Sequence, residues 1–145
     1  EGVHELLELE GTEGVRGHVY AVNRDGVMVG RLEGPKPMRW DATTGLTVLP
    51  GLARNGGGWA HDINDRGEIV GSLTGVAGGV AVLWRDGRAY DLNRCIPYPD
   101  QWQLVEATAI SNNGTIACRV LQGDSVGSVL LVPQESQGKT RIAQR

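Results

Sequence analysis

Apolar residues fall in short runs separated by polar turns that end in glycine, and one run–turn–run phrase occurs three times. Residues 19–30, 60–71 and 107–118 align without gaps, and their turn glycines, Gly26, Gly67 and Gly114, stand 41 and 47 positions apart. Each phrase reads as a strand, a four-residue turn and a second strand. Asn at the turn entrance (Asn23, Asn64) can bond its own backbone, and the closing glycine takes a positive φ without steric cost. The expectation is one β-hairpin repeated three times.

A third strand follows each hairpin. Residues 37–40, 81–84 and 128–131 end 14, 17 and 17 positions past the hairpin glycine, on Trp40, Trp84 and Leu131. Residues 45–49 and 87–92 begin on a turn glycine and read as fourth strands. Four short strands in a unit of about 44 residues is the pattern of a propeller blade. The units span about 18–52, 58–93 and 105–132, inside one domain of residues 1–133. Residues 134–145 read as a polar tail. Residues 2–9 read as an orphan strand, free to complete the last unit and cover its exposed edge. Three blades fall short of the four to eight of a closed ring. The fold expected is therefore all-β and propeller-like: half of a six-bladed ring closed by a second chain, or the C-terminal part of a larger one. The alternative is a threefold β-trefoil or β-prism, which the length alone suits better.

Composition narrows the function classes. The 145 residues make a single-domain length, and 22 of them are Gly, about twice the usual ~7%. No apolar stretch approaches the ~18–20 residues of a membrane-spanning helix. The formal charge is −3, and only Lys36 and Lys139 accompany the arginines. With no basic stripe, nucleic acid is not an expected partner.

The phrase Ala-x-x-Ile-Asn-x-x-Gly-x-Ile-Val-Gly at residues 60–71, followed by Ala-Val-Leu-Trp at 81–84 and Asp91, Leu92 and Asn93, resembles the HAF family of probable extracellular repeats. The resemblance extends over residues 2–133, and residues 91–114 look like the last repeat of such proteins. It implies a secreted, propeller-like repeat protein and no defined activity. This chain departs from the pattern at Ser111, at Ala117 and Cys118, and at Leu131.

Candidate chemistry is sparse. Trp40 and Trp84 occupy matched repeat positions and are expected to pack between units. Tyr20, Trp59, Trp102 and Tyr98 fall outside that phase, and such rings are what a glycan or peptide site uses. His18 and His61 lie on the first strands of adjacent units, where a central axis would bring them together beside Asp62. Ligand-binding candidates are therefore Tyr20, His18, Trp59, His61, Asp62 and Trp102. Residues 62–73 begin like a calcium loop but carry Arg66 at the fifth position and Leu73 at the twelfth, so they read as a turn. Residues 55–59 lack the Lys of a phosphate loop and read as a linker. Cys95 and Cys118 are either two isolated thiols or one disulfide. No catalytic set, metal site or cofactor motif is present.

These readings point to a secreted, non-enzymatic binding or scaffold module that takes a glycan, peptide or protein through inter-blade pockets. Expected partners are a second copy in a dimer or the missing part of a longer chain. The alternative is a secreted lyase or hydrolase with its site in the axial channel around His18, His61 and Asp62. A purely structural surface repeat would instead show a featureless channel.

Overall fold

The computed structural model describes residues 11–52, 57–75, 78–134 and, for the backbone, 140–144. The protein is all-β, with three four-stranded antiparallel sheets, each an up-and-down meander in chain order. The first holds β1 (Gly17–Val22), β2 (Met28–Leu32), β3 (Lys36–Asp41) and β4 (Gly45–Val48). The second holds β5 (Gly58–Ile63), β6 (Ile69–Gly75), β7 (Gly78–Arg85) and β8 (Arg88–Asp91). A 3-10 turn, Leu92–Cys95, leads to the third, with β9 (Gln103–Ile110), β10 (Ile116–Gln122), β11 (Ser125–Pro133) and β12 (Thr140–Gln144).

β12 corrects the expected chain end. Its residues 140–144 were read as polar tail, yet Thr140 pairs with Pro133 and Gln144 with Val129. An open strand edge offers backbone N–H and C=O groups that any extended segment can satisfy, whatever its side chains. The edge position assigned above to residues 2–9 is thus taken by β12, and residues 2–9 lie outside the described residues. Among the described residues no strand pairing joins one sheet to another, so they form no closed barrel of the trefoil kind.

The hairpin turns explain the repeated phrase. Asn23 Oδ1 accepts the amides of Asp25 and Val27, and Asn64 Oδ1 accepts those of Arg66 and Glu68, at 3.0–3.1 Å. The closing glycines have φ of 77°, 80° and 85°. In the third turn Ser111 substitutes for Asn, and its Oγ accepts the Thr115 amide.

Sheets pack in sequence order. β5 lies against β1, β2 and β3, and β9 lies against β5, β6 and β7. Val29 of β2 is fully buried among Ala60, Ile63, Leu73, Val82 and Trp84 of the second sheet. Val70, its counterpart in β6, is fully buried among Leu104, Ala107, Ile116 and Leu131 of the third. In each of the first two units one residue thus fills the same place in the sheet that follows. Trp84 adds a bond from its Nε1 to the Pro50 carbonyl, 2.7 Å away, which ties the second sheet to the preceding connection.

Turn also bonds to turn. Asn23 Nδ2 donates to the Asn64 carbonyl, and Asn64 Nδ2 donates to the Ser111 carbonyl, both at 3.1 Å. One position on, the Arg24 amide donates to Asp65 and the Asp65 amide to Asn112. Each Asn therefore clamps its own turn with its oxygen and the next with its nitrogen.

Candidate functional site

Each first strand carries a β-bulge at the same repeat position. The pairing skips Tyr20 in β1, His61 in β5 and Thr108 in β9. A bulge bends the strand and re-aims the extra side chain. Glycine opposite the first two bulges is compulsory: a Cβ on Gly30 would sit 1.9 Å from the His18 carbonyl oxygen, and one on Gly71 would sit 1.9 Å from that of Trp59. This is the physical content of the Val-Gly that ends the phrase. In the third unit Cys118 replaces that glycine, and a second irregularity appears in the pairing of β9, at Val105.

The bulge residues Tyr20 and His61 line one pocket of about 480 Å³, which the third unit completes with Val105, Glu106 and Arg119 rather than with Thr108. Tyr20 and Trp59 supply aromatic surface, and His61, Glu106, Arg119 and Ser72 supply polar groups. The rings of Tyr20 and His61 lie 5.9 Å apart, and His18 stacks on Tyr20 at 6.5 Å. Arg31 Nε fixes the Tyr20 hydroxyl at 3.0 Å.

His61 is the centre of the pocket's electrostatics. Its Nε2 is 2.9 Å from Glu106 Oε1, and Arg119 reaches the other Glu106 oxygen at 3.8 Å. The His61 contact lacks hydrogen-bond geometry, which leaves Nε2 a buried polar atom with no hydrogen-bond partner. Burial lowers the His61 pKa, and the Glu106 carboxylate opposes that shift without overcoming it. The imidazole thus resists protonation, and it lies beside the Glu106–Arg119 ion pair on the pocket wall.

Of the candidates read from the sequence, Tyr20, Trp59 and His61 line this pocket, and His18 borders it through Tyr20. Asp62 does not belong to it. Its Oδ1 accepts the Ile63 amide and its Oδ2 the Ile110 amide at 2.8 Å, so this carboxylate fastens β5 to β9. Trp102 packs against the core between the second and third sheets. Glu106 and Arg119 were missed. Glu106 occupies the repeat phase of His18 and Trp59, so reading that phase through all three units would have found it.

The cysteines are free thiols, Cys95 exposed on the 3-10 turn and Cys118 buried in the core. The disulfide option is not realised, because Cys118 faces apolar packing around Val120 and Leu131. Burial pushes its thiol up to about 12. Among the described residues no group of three or more His, Cys, Asp or Glu is placed to hold a metal ion, and no helix is long and apolar enough to cross a membrane.

A second cluster sits between the second and third sheets. Glu68 is buried, accepts from Asn64 Nδ2 at 2.8 Å and Arg66 at 2.6 Å, and has Arg85 at 3.7 Å. Burial raises its pKa, but the bonds from Asn64 and Arg66 outweigh that and hold it below the ordinary value. Asp91 caps the 3-10 turn by accepting the Asn93 amide, and Asn93 bonds both the amide and the carbonyl of Leu104. The Asp-Leu-Asn phrase therefore serves to anchor β9.

Compared with known proteins, the chain matches no family model, no curated protein and no solved structure.

Proposed function

We propose that the three sheets form an arc of a β-propeller with the first strand of each unit nearest the axis, and that the pocket on those strands binds a glycan. The in-order packing of sheet on sheet, with the first strands side by side, supports the arc. The reading of a secreted repeat rests on the quoted phrase that resembles HAF repeats.

One observation carries the binding reading: Tyr20, Trp59, His61 and Glu106, from three successive units, converge on one pocket. Aromatic rings stack on the apolar faces of sugar rings, while an imidazole, a carboxylate and a guanidinium match hydroxyl donors and acceptors. The partner at the open end of the arc is a further repeat.

The lyase or hydrolase reading loses Asp62 to its backbone bonds and would have to use His61 and Glu106 as its acid–base pair. A glycan panel read by ligand-observed NMR separates these readings. Binding without turnover, abolished by Trp59→Ala and His61→Ala, is the expected result. Cleavage of a bound sugar that stops in His61→Ala would favour the enzyme, and no binding by any member of the panel would sink the glycan assignment.

A further inference from the structure

The two faces of this arc's ends are not alike. In the second and third units the first strand is covered by the sheet before it. Ala60 and Ala107 have no exposure, and Ile63 and Ile110 keep 6% and 8%. The matching residues of the first unit are bare: Val19 is 50% exposed and Val22 60%. Met28, Leu32 and Trp40 are half-buried where Ile69, Leu73 and Trp84 are buried, although Met38 at the centre of the face is covered.

The turn ladder stops at the same place. The Asn64 and Ser111 carbonyls each accept two bonds, one from their own turn glycine and one from the preceding Asn amide. Among the described residues the Asn23 carbonyl accepts only the Gly26 amide. Among the described residues this rung stands open.

We propose that this bare face is the docking surface for a further four-stranded unit of the same repeat, one whose turn carries Asn followed by an acidic residue. The proposal rests on the arc reading above. Such a unit continues an interface that the chain already makes twice. Its Asn would fill the open rung on the Asn23 carbonyl. Arg24, exposed where Asp65 and Asn112 stand in the later turns, would meet the acid that follows. The face to be covered is apolar, and burying apolar area drives such packing.

A second copy of this chain, docked by its third sheet, fits poorly. Ser111 has no side-chain amide to donate, and its hydroxyl is engaged with Asn113 and Thr115 of its own turn. Asn112 brings no charge to Arg24. The outgoing face of the third sheet carries Ala117, Arg119 and Ser128 where the second sheet has Val70, Ser72 and Ala81, and Arg119 and Ser128 are exposed. A polar outer face is what a terminal repeat presents to water.

The test adds one unit in front of the full chain through a flexible linker: a copy of residues 57–93, which carries Asn64 and Asp65, or a copy of residues 103–133. Amide exchange of β1 is the readout. With the first copy, β1 exchange should slow at least tenfold, and Val22→Asp should remove that protection while leaving the unmodified chain as stable as before. With the second copy, exchange should stay unchanged. Unchanged exchange with both copies, equal protection by both, or protection in a dimer of the unmodified chain would each overturn the proposal. Failure of the arc itself would show separately, as missing nuclear Overhauser contacts between Asn23 and Asn64 in the unmodified chain.

Discussion

Asn64 spans two turns: its Oδ1 accepts the Arg66 and Glu68 amides of its own hairpin, while its Nδ2 donates to the Ser111 carbonyl, 47 residues further on. Local turn chemistry and the contact between units thus share one side chain. A residue of this kind makes hairpin formation and sheet stacking cooperative, because loss of either exposes polar groups that the other had satisfied.

Asn64→Ala is expected to destabilise the fold by about 2–4 kcal/mol, since it strips several hydrogen bonds from a buried position. Ser111→Ala, at an exposed turn that makes no onward bond, should cost less than about 1 kcal/mol. Urea unfolding of the two variants checks the difference. Equal costs would mean that the contact between turns contributes nothing.

Gly71→Ala should be far more damaging than its size suggests. The added methyl would meet the Trp59 carbonyl oxygen at 1.9 Å, and relief requires the bulge itself to move. We expect a loss of about 3 kcal/mol or more, or failure to fold. Near-wild-type stability would show that the bulge is not held by this close approach.

The pH dependence of stability follows from His61 and the acids of the ladder. An unfolded His titrates near ~6.5. Burial lowers the folded value, so as pH falls below that point the unfolded chain takes up a proton that the folded chain resists. Stability is full above this window and declines with acidification through it. His61→Gln should flatten that step. Asp65, held low by the Arg24 amide and then by Asn112, gives a separate loss at more acidic pH, as the ladder carboxylate is protonated. Glu106→Gln removes the one charge that raises the His61 pKa, so the His61 titration followed by NMR should move further down. A move upward would contradict the pair as described.

Thiol reactivity should divide the two cysteines. Cys95 is exposed and should alkylate in the native protein, slowly at neutral pH, because partial burial and then Asp91 raise its pKa against the pull of Arg85. Cys118 should react only after unfolding. Mass spectrometry after a timed alkylation reads both, and a disulfide-linked product from the native chain would refute the free-thiol arrangement.

The strands were legible because their signals are local. Asn23, Asn64 and the turn glycines act within four residues, and alternation marks the strands beside them. What joins the units was not. The ladder from Asn23 to Asn64 to Ser111 depends on the offset between sheets, which no short window encodes. β12 escaped notice because edge pairing needs only backbone groups. The site was half legible. Tyr20 and Trp59 stood out as rings away from the packing phase and His61 by its place on a first strand, whereas Asp62 looked like a site acid and proved to be a fastener between β5 and β9. Glu106 went unread, because its approach to His61 depends on how neighbouring first strands lie against each other.

The central claim is that the first strands of successive units aim side chains into one pocket. Nuclear Overhauser contacts between the ring protons of Tyr20 and His61, and between His61 and the side chain of Glu106, test it most directly. The account predicts both, across separations of 41 and 45 residues. If both are absent in a folded sample whose hairpins are intact, the first strands do not lie side by side and the pocket does not exist.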